Sequence, residues 1–141
     1  MSETKAELSP GAEPAAQTEF SSFVDVLQHR AAERPNDPAY IFLPDRGGAR
    51  LSLSFAELYA RAQAVAVSLA ERGQRGDRAV LLFSPGLDFI IAFFACLLAG
   101  VIAVPMMIPR RASSRDASAA ILADCSPRFA MGRPMRRAQA S

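Results

Sequence analysis

Cysteine, histidine and net charge are all scarce in this sequence. Its 141 residues hold two cysteines and one histidine, and the formal net charge is +2 at pH 7. Two unspaced cysteines and the lone His29 make no metal-ligand pattern. Cys96 lies in an apolar run and Cys125 in a second helical stretch, so no bridge is suggested and a reduced, cytoplasmic protein is expected. The small charge gives no electrostatic footprint for nucleic acid. The amino terminus lacks the apolar core of a secretion signal. Residues 1–19 are polar, acidic and rich in Ala and Pro, which predicts a disordered leader. Phosphate-binding signatures are missing as well: there is neither a Gly-x-x-x-x-Gly-Lys-Ser/Thr run nor a Gly-x-Gly-x-x-Gly. Internal repeats are absent.

Half of the residues are hydrophobic and 21% are charged, a balance that suits a globular α/β domain. Charge is unevenly spread. Glu3, Glu7, Glu13 and Glu19 face only Lys5 in the leader, whereas seven arginines from Arg110 onward face Asp116 and Asp124. Phe89 to Ile108 is free of charge over twenty residues, enough to cross a bilayer. Gly100, the β-branched Val101-Ile102 and Pro105 break that run, so a buried helix followed by a short strand is expected instead.

Order is expected from about residue 20. Ser22 to Asp25 fits a capping box, and Phe23, Val26, Leu27 and Ala31 fall on one helical face. Ala39–Leu43 and Leu51–Phe55, separated by Pro44-Asp45-Arg46-Gly47-Gly48, predict a β-hairpin. Ser54 and Glu57 form a second capping box. The helix it opens carries Leu58, Ala62, Val65, Ala66 and Leu69 as its buried stripe, with Gly73 as a C′ residue. Ala79–Phe83 is a continuous apolar strand. A helix over 87–99 and a strand at Val101–Val104 complete a βαβ unit with a parallel pair. A last helix through Ala119–Ala123 precedes the start of a strand at Arg128–Ala130, and periodicity stops from Met131 to Ser141.

Ligands of open parallel sheets bind beyond the strand carboxyl ends, here Ser84-Pro85-Gly86 and Pro105-Met106-Met107. Ser84 lacks the Gly-x-Ser-x-Gly elbow of a nucleophile and reads as a turn residue that caps the next helix. Asp88 reads as a first-turn acid favoured by the helix dipole rather than a base. His29 reads as a solvated helix residue. The Arg110-Arg111 pair is suited to an acidic carrier or a phosphate, but a solvated loop is the commoner explanation. The apolar helix over 87–99 is read as core rather than as the wall of an acyl pocket. No catalytic, nucleotide-binding or metal residue is assigned.

Phe23-Val24-Asp25-Val26-Leu27 through Arg34-Pro35 resembles the opening of the adenylate-forming ligases. Leu53-Ser54-Phe55-Ala56-Glu57-Leu58 and Gly76-Asp77-Arg78-Ala79-Val80-Leu81-Leu82 resemble two further segments of that superfamily. Pro85-Gly86-Leu87-Asp88-Phe89, Phe93-Phe94-Ala95-Cys96 and Ala99-Gly100-Val101-Ile102-Ala103-Val104-Pro105 are similar to fatty acyl-AMP ligases in particular, and the likeness continues through Pro109-Arg110-Arg111 and Ala120–Asp124. The resemblance covers residues 20–130. It implies an α/β fold, specifically an incomplete amino-terminal adenylation subdomain made of a β-hairpin and a βαβ unit, followed by an unrelated tail over 131–141.

The resemblance also implies a reaction. A fatty acid carboxylate attacks the α-phosphorus of ATP, with magnesium on the phosphates, and releases pyrophosphate; the acyl group then passes to an acyl carrier protein. The family's phosphate loop and catalytic lysine have no counterpart here, so the chain is expected to be a fragment, inactive and without cofactor on its own, and prone to self-association through uncovered surfaces. The alternatives are a piece of a long-chain fatty acid–CoA ligase, a non-catalytic module that binds an acyl chain or carrier protein, and a small single-span membrane protein.

Overall fold

The computed structural model describes residues 18–107 and 112–133, the backbone alone at 112–116. Most of the expected leader, the Arg110-Arg111 pair and residues 134–141 of the expected tail lie outside the described residues.

Helix α1 (Phe23–Glu33) begins where the Ser22 side chain accepts the Asp25 N–H at 3.2 Å. The reciprocal half of that box is displaced by one residue, because the Asp25 carboxylate accepts from the backbone N–H and hydroxyl of Ser21. The Ser21 hydroxyl first, then the Ser22 contact, holds the Asp25 carboxyl below its ordinary range. Leu27 is buried and Val26 and Ala31 are half-buried, as spacing predicts. Phe23 departs from that expectation and is 71% exposed. Helical side chains lean toward the amino end, so a first-turn residue reaches past the helix start rather than onto the core.

Strands β1 (Pro38–Phe42) and β2 (Leu51–Ser54) form the expected antiparallel hairpin, with Tyr40 opposite Leu53 and Phe42 opposite Leu51. Helix α2 (Phe55–Arg72) starts with a complete capping box: Ser54 Oγ accepts from Glu57 N at 3.1 Å, and Glu57 Oε2 accepts from Ser54 N at 3.0 Å. Leu58, Ala62, Ala66 and Leu69 are its buried stripe, Val65 being half-buried. Gly73 ends this helix in an extended conformation (φ −150°, ψ −170°), not the left-handed one expected of a C′ glycine. Its requirement is space: a Cβ there would stand 2.6 Å from the Phe129 ring.

Strand β3 (Arg78–Leu82), helix α3 (Leu87–Ala99) and strand β4 (Ile102–Pro105) make the βαβ unit, with β3 and β4 parallel. Helix α4 (Ala112–Cys125) leads to β5 (Phe129–Gly132), which pairs parallel to the other side of β3, giving the order β4-β3-β5. The last strand therefore runs two residues beyond Ala130, where the apolar pattern fades. The α3 helix closes with the reciprocal bonds of a Schellman turn. Val101 N–H donates to Cys96 O at 2.9 Å and Gly100 N–H to Leu97 O at 3.3 Å, with Gly100 left-handed at φ 70°. The apolar run from Phe89 is thus a helix, a turn and a strand. No helix among the described residues is long and apolar enough to cross a membrane, which removes the support for the single-span alternative.

The core lies where α2 and α3 pack on each other and on one face of the sheet, closed at the side by the hairpin and Leu27 of α1. Leu53, Leu58, Leu81, Val80 and Cys96 are its most enclosed large side chains. No polar or charged residue is buried among those described. Tyr40 of the hairpin meets Phe94 of α3 at 6.4 Å between ring centroids, which ties the two-stranded and three-stranded sheets together through one helix.

Candidate functional site

The carboxyl ends of β3, β4 and β5 bring three short segments to one edge of the sheet: Phe83 to Gly86, Met106-Met107, and Arg133. Helix α3 starts there at Gly86 without a side-chain cap, so Ser84 does not perform the capping expected of it or a neighbour. Its exposed hydroxyl has neither the elbow geometry nor a histidine beside it, since His29 belongs to α1 and faces Glu33. Asp88 occupies the first turn of α3 as expected. Its Oδ2 meets Arg133 Nε at 2.7 Å, and both side chains are largely open to solvent. Sequence reasoning missed this ion pair because Arg133 falls where periodicity has ended. The only signal for it was a cation placed just after the predicted β5.

His29 Nε2 lies 2.7 Å from Glu33 Oε2, one helical turn along α1, and its ring meets the Phe20 edge at 5.1 Å between centroids. This is a helix-surface contact of the i,i+4 type, made within one turn of α1. Cys96 is fully enclosed, and burial pushes its thiol up to about 11, away from the thiolate needed of a nucleophile. Cys125 is half-buried at the end of α4, its Sγ directed at the Leu122 carbonyl.

Open polar grooves lie at two places among the described residues. One, of about 490 Å³, is lined by Asn36, Pro38, Arg50, Ser52, Ser54 and Glu57 beside the hairpin. Its most polar members are committed to structure, because Ser54 and Glu57 are the capping box of α2. The other, of about 460 Å³, lies among Glu71, Arg72, Gly73, Gln74, Asp77 and Arg128 at the amino ends of β3 and β5. There Asp77 Oδ2 accepts from Gln74 N at 2.7 Å, and Arg128 Nη2 donates to the Arg72 carbonyl at 3.3 Å, satisfying an orphan acceptor at the end of α2. Neither groove is at the carboxyl edge where parallel sheets hold ligands.

A nucleoside triphosphate with magnesium needs a cradle of N–H donors, a cation and oxygen ligands. The described residues alone do not meet that demand. No group of three or more His, Cys, Asp or Glu among the described residues is placed to hold a metal ion. Among the described residues, the cation at the carboxyl edge, Arg133, is paired with Asp88.

The AMP-binding enzyme family profile matches residues 27–141. A provisionally named fatty-acid–CoA ligase, FadD21, of Mycobacterium leprae is 43% identical over 110 residues, which are 76% of this chain and 19% of the relative. The medium-chain-fatty-acid–[acyl-carrier-protein] ligase JamA of Moorena producens is 43% identical over 94 residues, 67% of this chain and 16% of the relative. The crystal structure of a fatty acid AMP ligase from Legionella pneumophila superposes with a TM-score of 0.76 at 36% identity, over 81% of this chain and 20% of that one. The chain spans about a fifth of the length of the relatives it matches, at their amino-terminal part.

Proposed function

Because the chain belongs to the AMP-binding enzyme family, we propose that it supplies the amino-terminal subdomain of a ligase that activates fatty acids as acyl-adenylates. The acceptor of the acyl group in this reading is the thiol of an acyl carrier protein, and the compartment is the cytoplasm. The observation that carries the reading is the superposition with the Legionella fatty acid AMP ligase over 81% of this chain at 36% identity. A second Legionella structure, of a fatty acyl-adenylate ligase in complex with acyl adenylate and pyrophosphate, superposes at a TM-score of 0.75 and 36% identity.

What these residues contribute is a scaffold. The β3–α3–β4 unit fixes the carboxyl edge of a parallel sheet, and the Asp88–Arg133 pair fastens the start of α3 to the end of β5 across that edge. ATP and magnesium act in the complete ligase. In this reading the groups that hold them lie in the part of the ligase beyond the matched fifth.

The test is ATP–pyrophosphate exchange with medium- and long-chain fatty acids. The isolated chain is expected to give no exchange above the blank, whereas the Legionella ligase carrying residues 20–133 in place of its own matching segment exchanges pyrophosphate. A well-folded chimaera that is inert with every fatty acid sinks the reading. Transfer from the chimaera to carrier protein against coenzyme A then scores the acceptor.

A further inference from the structure

Strand β5 has 4 residues, and its apolar alternation is no more than Phe129 and Met131, which pack against the core while Ala130 and Gly132 are exposed. So short a pattern tells the two faces apart but is a weak guide to register, because a slide of two residues keeps the faces. Two points along β3 remove that freedom. At the amino end the Phe129 ring lies in a notch left by Gly73, where a Cβ would stand 2.6 Å from Cζ and 2.8 Å from Cε2 of the ring. Gly73 is extended at φ −150°, ψ −170°, a conformation open to any residue, so glycine is needed there for space alone. At the carboxyl end a Cβ on Gly132 would stand 2.7 Å from the Leu82 carbonyl oxygen, a backbone atom that cannot swing aside. A slide of one residue brings Met131 or Arg133 to that point, and a slide of two brings Ala130 or Pro134. Each carries a Cβ, and each slide takes the ring out of its notch.

We propose that Gly73 and Phe129 are positioning residues: the ring seated in the notch fixes the register of β5 on β3 and so sets where Arg133 emerges beside Asp88. By the usual rise of a strand, Arg133 lies about 13 Å further along from Phe129, at the carboxyl edge where an open parallel sheet holds its ligands. The Arg133 Nε–Asp88 Oδ2 contact of 2.7 Å marks the correct register. Both of its side chains are largely open to solvent, and such a pair contributes too little to impose a register by itself. Asp77 shares the notch: its Oδ2 stands 2.8 Å from the same Cβ position and accepts from Gln74 N at 2.7 Å, which makes it the competing cause of any effect at Gly73. The device is independent of the adenylation reading.

The test is NMR of the full 141-residue chain. Cross-strand NOEs between Ala79 and Phe129 and between Leu82 and Gly132 read the register, and a side-chain NOE between Asp88 and Arg133 reads the far end. Hydrogen exchange of the Arg128 N–H, which donates to the Arg78 carbonyl at 2.8 Å, reads the anchoring of the strand. Gly73→Val is expected to remove the β5 NOEs, the remote Asp88–Arg133 one included, and to speed Arg128 exchange by about tenfold or more. The Ala79–Ala103 and Val80–Val104 NOEs of the β3–β4 pair persist. Phe129→Ala empties the notch and is expected to loosen β5 in the same way. Gly73→Val combined with Phe129→Ala refills the notch from the opposite side and is expected to return the β5 NOEs and most of the protection, a non-additive gain. Gly73→Val combined with Asp77→Ala is expected to return neither. If Gly73→Val unfolds the chain, Gly73→Ala makes the same comparisons at a smaller volume. β5 NOEs that survive both single substitutions overturn the proposal. A combined Gly73→Val, Phe129→Ala variant no better than the worse single one overturns it too, as does recovery through Asp77→Ala. Loss of the β3–β4 NOEs together with those of β5 in every single variant also overturns it, since the notch then supports the whole sheet rather than one register.

Discussion

The turn that separates α3 from β4 is the point where a single methyl group should be felt most clearly. Gly100 sits at φ 70°, ψ 23°, and closes the helix through the Val101-to-Cys96 and Gly100-to-Leu97 bonds. Its carbonyl also accepts from Gly76 N at 2.9 Å, so the residue joins two loops. An L side chain in the left-handed region costs about 1–2 kcal/mol. A Cβ there would also stand 3.0–3.1 Å from Cζ, Cγ and Nη1 of Arg75, an exposed side chain that has room to give by a few tenths of an ångström. Backbone strain therefore dominates, and Gly100→Ala should lower stability by about 1 kcal/mol after the reduced freedom of the unfolded chain is counted. For a domain of this size that is about 3–4 °C in Tm. Gly100→Asn, which tolerates the left-handed region, should lose about half as much. Circular dichroism melts of the full chain, with and without Arg75→Ala, measure both contributions. An alanine variant that melts with the parent refutes the strain argument. Full recovery of the loss in the Arg75→Ala background shows that the clash, not the backbone, was the cause.

Loss of the α2 capping box is the second perturbation. Ser54→Ala removes the acceptor of the Glu57 N–H and should cost about 1 kcal/mol in a urea midpoint, with Ser54→Asp retaining most of the stability. The two cysteines should separate by reactivity: Cys125 is labelled by a thiol reagent in the native state, and Cys96 only as the protein unfolds. Because burial raises the Cys96 thiol from 9.0 to about 11, the native state binds the extra proton between those values. The contribution of Cys96 is then fully present below pH 9.0 and is lost as pH rises toward about 11. Denaturant midpoints across that range should fall for the parent and fall less for Cys96→Ala; equal slopes contradict the assignment.

Which parts of the fold were legible in the sequence follows from how local their causes are. The Ser54–Glu57 box, the Leu58-Ala62-Ala66-Leu69 stripe and the helix stop at Gly100 are each set by residues within a turn or two of one another, and all three are present. The breaks at Gly100 and Pro105 likewise separated a helix and strand from a span. Phe23, Gly73 and α4 were misjudged or undetermined because their environments come from elsewhere in the chain. Phe23 has helical spacing but nothing opposite it. Gly73 is required by the Phe129 ring, fifty-six residues away in sequence, and Arg128 reaches Arg72 over the same distance. Helix α4 has apolar residues without a periodic stripe, and Ile121 and Leu122 remain open. The candidate site follows the same logic at a larger scale. A carboxyl edge of a parallel sheet becomes a nucleotide site only when donors from several segments converge on it, and among the described residues this edge has an uncapped helix start and an arginine paired with Asp88. The family could be read because order and spacing of segments survive in a fifth of the fold, whereas chemistry could not, because it depends on convergence. Grafting residues 20–133 into a complete relative is therefore the decisive manipulation: it restores convergence while leaving every local signal in this sequence unchanged.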